Sequence, residues 1–237
     1  MNKSEENTII KESIGWDIEN WKQSIIFFEK HIKLDKSMKI LELGAGHSSG
    51  GYSHYFASKG LEVVCTDFPE VYDSIIKFHK NACIDQYISY EGVNALSISY
   101  KSEFDIIIFK SMLGGIGRWG NVKKFEETIK NVRDALKPKG HMLFAENLRA
   151  TFVHEFFRNR FGNGKKGWTY INFDEYENIV KKYFNIYNMD TTGFLGCFGR
   201  SEFQRNILGL IDQKILKNIV PKKLNYILFC VAQKSVK

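Results

Sequence analysis

A chain of 237 residues with 43% hydrophobic and 14% aromatic residues is long enough to bury one substantial core, and 3 prolines exclude a proline-rich linker. Its polar start, Met-Asn-Lys-Ser-Glu-Glu-Asn, lacks the apolar stretch of a secretory leader, and no run approaches the length of a membrane span, so a soluble cytoplasmic protein without membrane partners is expected. A net charge of +7 and a pI near 9.1 allow an anionic small molecule or a nucleic acid as partner, and the clustering of the charge has to separate the two.

Near the N-terminus, Ile18, Trp21, Ile25, Phe28 and Ile32 recur at spacings of three and four, which predicts a helix over 13–33. Residues 1–35 are then expected as a helical cap ahead of one domain over 36–237. The apolar face of that helix packs on the core, or else Trp16, Asp17 and Trp21 close as a lid over a ligand.

Residues 38–52 read Met-Lys-Ile-Leu-Glu-Leu-Gly-Ala-Gly-His-Ser-Ser-Gly-Gly-Tyr, a buried strand running into four glycines. Such a turn lets a ligand approach the backbone, and N–H groups left free at the start of the next helix would face it. The dinucleotide fingerprint G-x-G-x-x-G fails, because Ser49 stands where its third glycine belongs. Glu42-Leu43-Gly44-Ala45-Gly46 instead resembles motif I, E/D-x-G-x-G, of the class I S-adenosylmethionine-dependent methyltransferases. A glycine-rich turn that binds nothing is the plain alternative.

The second strand, 61–67, ends in Asp67, 21 residues after Gly46, where a carboxylate can accept both hydroxyls of a ribose or cap the following helix. Phe68 can pack on an adenine face. Gly92-Val93-Asn94-Ala95-Leu96, after a third strand at 86–91, resembles the G-D-A segment that reads adenine in the same family, with Asn94 in place of aspartate. Phe104–Phe109 is the near-continuous apolar pattern of a central parallel strand, and Lys110 and the loop to Trp119 leave its C-terminal end, where ligands of open parallel sheets bind.

A helix from Val122 to Leu136 is expected to stop at Lys137-Pro138-Lys139-Gly140, a turn similar to the family's L-K-P-G-G, before a fifth strand at 141–146. Asn172 and Glu175 are spaced as a capping box for a helix to Tyr183, a sixth strand is expected at 184–189, Ser201 can cap a helix to about Lys217, and 224–232 make the last strand. The resemblance, over about 36–233, implies an α/β, Rossmann-like sheet of seven mostly parallel strands with an antiparallel last strand and helices on both faces. It also implies S-adenosylmethionine as cofactor, held by Glu42, Gly44, Ala45, Gly46, Asp67, Phe68, Asn94, Ala95 and Lys110.

Methyl transfer from a sulfonium needs alignment above all, and a general base only when the acceptor is a neutral hydroxyl. Glu146 and His154, in the loop after strand five, are the candidates for that role, and each is equally readable as structural. His47 and His54 read as packing or surface groups. Between Leu148 and Trp168 lie five basic residues, Arg149, Arg158, Arg160, Lys165 and Lys166, against one acid, Glu155. This stretch, with Arg118, Arg200 and Arg205 from neighbouring loops, is expected to bind a phosphate or other anion on a small acceptor, with Arg118, Arg149, Arg158, Arg160 and Arg200 in contact.

The Gly-Trp-Asp at 15–17 and Phe-Ala-Glu-Asn-Leu at 144–148 are also similar to bacterial methyltransferases of surface-glycan pathways, which implies a sugar, sugar phosphate or nucleotide-linked precursor methylated on oxygen. An RNA methyltransferase is the alternative, although the D/N-P-P-Y signature is replaced by Phe109-Lys110-Ser111-Met112 and nucleic acid is not the expected partner. A non-catalytic scaffold would not need Glu42, Gly44, Gly46 and Asp67 together. Cys65, Cys83, Cys197 and Cys230 form no C-x-x-C pair and read as buried thiols, with no metal site expected.

Overall fold

The computed structural model describes residues 2–47 and 49–235; Met1, Ser48 and the last two residues lie outside it. Seven strands, β1 (Lys39–Leu43), β2 (Glu62–Asp67), β3 (Ile88–Gly92), β4 (Phe104–Lys110), β5 (Leu136–Asn147), β6 (Ile186–Thr192) and β7 (Ile227–Gln233), form one sheet in the order β3-β2-β1-β4-β5-β7-β6. The first five run parallel, and β7 is antiparallel to both β5 and β6. Strands β1 and β4 take the centre because they are apolar on both faces: Ile40, Leu41, Ile106, Ile107, Ile108 and Phe109 are all completely buried. The chain order reverses between β1 and β4, and that reversal opens a crevice at the C-terminal ends of the strands.

Around the sheet lie α1 (Lys3–Ile14), α2 (Ile18–His31), α3 (Gly51–Ser58), α4 (Asp73–Asn81), the single turn α5 (Leu113–Ile116), α6 (Lys123–Ala135), α7 (Phe152–Phe161), α8 (Phe173–Tyr183) and α9 (Glu202–Lys214). They divide the core in two. One half gathers Trp21, Ile25 and Phe28 of α2 with Tyr52 and Phe56 of α3. The other gathers Phe125, Ile129 and Val132 of α6 with Tyr176 and Val180 of α8.

The helix expected over 13–33 is α2, which starts at Ile18, while Ser13 and Ile14 end a separate helix, α1. Gly15 (φ 82°) and Asp17 (φ 45°) adopt left-handed backbone between them, and α1 begins at a capping box in which Asn2 and Glu5 exchange backbone hydrogen bonds. The Asn-x-x-Glu spacing was readable there as at α8, where the expected Asn172/Glu175 box forms. Trp21 and Ile25 sit in the same core as the sheet.

The helix stops at Ala135, next to the expected turn, but β5 begins at Leu136 and not at 141, because Leu136 pairs with Phe104 and a register shift follows, with Lys139 at φ 65°. Cys83 is exposed, not buried, and Cys65 and Cys230 are buried. No helix among the described residues is long and apolar enough to cross a membrane.

Candidate functional site

The turn from β1 to α3 places Gly44 and Gly46 at φ 71° each, a conformation that costs a side-chain-bearing residue. Several of its N–H groups are already taken by the protein. Ala45 N donates to the Thr66 carbonyl at 2.9 Å, Gly46 N to Asp67 Oδ2 at 2.7 Å and Gly50 N to the Glu12 carbonyl at 3.0 Å. Buried Glu42 takes the helix end itself: Oε1 accepts from Tyr52 N and Oε2 from Ser53 N, both at 2.8 Å. Burial raises its pKa, and those hydrogen bonds with nearby Lys110 pull it back. A protein carboxyl therefore occupies the position at which a dinucleotide pyrophosphate would dock. Gly51 makes this possible, since a Cβ there would lie 2.8 Å from both Glu42 oxygens.

At the end of β2, Asp67 braces the turn through Gly46 and accepts from Phe68 N at 2.8 Å with Oδ1, and each carboxylate oxygen keeps further acceptor capacity. Phe68 is 63% exposed beside it. Asn94 spends its side-chain oxygen on Leu96 N at 2.9 Å, so its amide NH₂ is what it can offer to a ligand. Lys110 donates to the Ile14 carbonyl at 2.7 Å, tying the end of α1 to β4, and burial lowers its pKa to about 8. All nine residues expected at the cofactor line one cavity of about 720 Å³, together with Arg118.

A second cavity, of about 610 Å³, shares Trp16, Ser111, Asn163 and Trp168 with the first, so the two adjoin. Arg158, Arg200 and Arg205 line it among Phe157, Phe161, Tyr170 and Phe198, and no carboxylate lines it among the described residues. Arg158 is fixed from below: it donates to the Leu148 carbonyl and, at 3.4 Å, to Asn147 Oδ1, and lies 4.6 Å over the Tyr170 ring. Asn147 in turn donates to Ser111 Oγ at 2.7 Å, and Ser111 holds a left-handed backbone (φ 50°) at the junction of the cavities.

Three of the five expected acceptor arginines lie elsewhere. Arg118 faces the first cavity, Arg149 pairs with Glu175 at 3.5 Å, and Arg160 lies against the Phe161 ring; the last two line neither cavity. Arg205 and the junction residues Ser111, Asn147 and Trp168 complete the second cavity. Of the proposed lid, Trp16 lines both cavities, while Asp17 and Trp21 are wholly buried.

No protein-family model matches the chain, and no curated protein matches it in sequence. Solved structures match it in fold. Phosphoethanolamine N-methyltransferase 2 of Haemonchus contortus, in complex with S-adenosyl-L-methionine, superposes with a TM-score of 0.67 at 16% identity over 97% of this chain and 57% of that one. Its complex with phosphomonomethylethanolamine and S-adenosylhomocysteine gives 0.61 at 16% identity over 92% and 53%. The chain thus spans little more than half the length of that enzyme. The YcgJ protein of Bacillus subtilis gives 0.61 at 12% identity over 91% of this chain and 99% of that one. The fold is that of the class I methyltransferases.

Within this methyltransferase fold the two residues expected as bases are both hydrogen-bonded to the protein. His154 is buried, with Nδ1 2.7 Å from Thr151 Oγ1 and Nε2 2.8 Å from the Phe194 carbonyl; burial lowers its pKa, and a neutral ring donating from Nε2 satisfies both bonds. The residue lines the second cavity with both ring nitrogens hydrogen-bonded. Glu146 is buried behind the loop after β4 and lines neither cavity; Oε1 accepts from Met112 N at 2.6 Å and Leu113 N at 2.8 Å. Burial raises its pKa to about 7. Oε1 shapes the backbone beside Ser111, and Oε2 has no hydrogen-bond partner among the described residues.

Proposed function

We propose that the chain is an S-adenosylmethionine-dependent methyltransferase that methylates an oxygen of a small anion, with sugar phosphates and nucleotide-linked sugars as the candidate acceptors. The observation that carries the acceptor class is the second cavity, with three arginines, six aromatic rings and no lining carboxylate among the described residues. The glycine turn supports the cofactor: Glu42 fills the pyrophosphate position, and Asp67, Phe68 and Asn94 line the same cavity in the order in which one nucleoside would meet them.

Bound there, S-adenosylmethionine supplies an electrophilic methyl on a good leaving group. The chain contributes alignment. Arg158 is held rigid by Leu148, Asn147 and Tyr170, so it presents its charge with little ordering cost. Ser111 Oγ accepts from Asn147, which leaves its own proton to hold an acceptor oxygen at the junction.

Mass spectrometry of sugar phosphates, nucleotide sugars and RNA after incubation with S-adenosylmethionine tests the acceptor. Methylation of RNA alone would refute the anion-cavity reading. With the acceptor in hand, Arg200→Ala should raise KM by about 10- to 100-fold and weaken its salt dependence, the loss typical of a charged hydrogen bond. Arg160→Ala, outside both cavities, should not move KM. Separately, Asp67→Ala should weaken cofactor binding by about 1–3 kcal/mol in calorimetry; unchanged affinity would remove Asp67 from the ribose role.

A further inference from the structure

The outward face of α7 has the wrong chemistry for water. Buried His154 and half-buried Arg158 fix which side of the helix faces the protein. On the opposite side, Phe152, Phe156 and Arg160 follow at spacings of four with Val153 beside them, and Phe152, Phe156 and Val153 are 79%, 54% and 51% exposed. A helix on a soluble surface carries its polar residues there. Phe157 and Phe161 continue this face to the rim of the second cavity, and exposed Lys165 adds charge beyond the helix end. Across the rim, Phe203 follows Arg200 by three positions and is 74% exposed.

We infer that this face docks on an anionic membrane surface, with Phe152, Val153 and Phe156 in the headgroup layer and Arg160 and Lys165 on the lipid charges. An amphipathic helix whose exposed side mixes aromatic and cationic residues is built for that interface, and the basic balance between 148 and 168 supplies the charge complementarity. The lack of a spanning helix is no obstacle, because such a helix lies in the interface. The mouth of the second cavity then opens against the bilayer, so an acceptor carried on a lipid would reach the arginines without leaving it. The docking itself does not depend on the methyltransferase reading.

Sedimentation of the full chain with vesicles tests it. Vesicles of equal parts phosphatidylcholine and phosphatidylglycerol should bind the protein in a salt-sensitive manner, and phosphatidylcholine alone should not. Phe152→Ser with Phe156→Ser, and separately Arg160→Glu with Lys165→Glu, should each reduce partitioning by roughly tenfold or more. All four positions are outside the cores, so melting temperature and S-adenosylmethionine affinity should hold. The inference is overturned if neither vesicle binds, if both bind equally, if the variants bind like the wild type, or if light scattering finds a stable dimer that the phenylalanine substitutions dissociate.

Discussion

Gly46→Val should abolish S-adenosylmethionine binding and leave the protein folded. At Gly46 the backbone sits at φ 71°, and a Cβ built there meets no atom within 4 Å, because it points into the open cavity beside Asp67. The left-handed conformation costs a side-chain-bearing residue about 1–2 kcal/mol, which a domain with a stability of roughly 5–15 kcal/mol can absorb. The isopropyl group then stands where the ligand must lie. Gly46→Ala carries the same backbone cost with less bulk and should lose less affinity. Gly51→Ala behaves in the opposite way: its Cβ would strike the Glu42 carboxyl at 2.8 Å, so it should lower the melting temperature first. Calorimetry and thermal melts on the three variants separate these effects, and wild-type affinity in Gly46→Val would show that the ligand lies elsewhere.

Asp17→Asn should stabilise the protein progressively as pH rises. Asp17 is wholly buried between α1 and α2, accepts from the Tyr226 hydroxyl and, at 3.2 Å, from Asn20, and its pKa is pushed up to about 8, first by burial and then by nearby Asp212 and Glu202. In the unfolded chain the same group titrates near 3.8. The folded state therefore keeps a proton that the unfolded state releases. The contribution of this group is complete below about pH 4 and is lost as pH climbs toward 8, by of the order of 5 kcal/mol across that window. An amide has no proton to lose, so denaturant unfolding at a series of pH values should show the variant gaining on the wild type from pH 4 to pH 8.

Parallel pH profiles for the two proteins would mean that Asp17 is ionised in the fold. The consequence reaches the site. Asp17 N and Ile18 N donate to Glu202 at the start of α9, both at 3.1 Å, and the neighbouring Trp16 lines both cavities with Arg205 5.7 Å over its ring. Loosening this joint at high pH should loosen the wall between the two cavities.

The strands and the first cavity were legible because their signals are local. Apolar runs such as Phe104–Phe109 report burial on both faces, and Gly44, Gly46 and Asp67 lie within one βαβ unit, where strand pairing brings the turn to the acid. The helix expected over 13–33 was started too early, because the apolar spacing does not mark the break that Gly15 and Asp17 impose. The second cavity was only partly legible. Trp16, Ser111, Asn147 and Arg205 come from distant parts of the chain, and only the fold brings them together. The surroundings of His154 and Glu146 were hidden for a related reason: their partners, the Phe194 carbonyl and the Met112 and Leu113 N–H groups, lie on other segments of the chain.

Calorimetric titration of the full chain with S-adenosylmethionine, repeated with S-adenosylhomocysteine and with NAD, tests the account most directly. It predicts one saturable site that the first two ligands compete for and NAD does not enter, weakened by Asp67→Ala and lost in Gly46→Val. Binding of NAD instead, or no binding of S-adenosylmethionine by the folded protein, would contradict it.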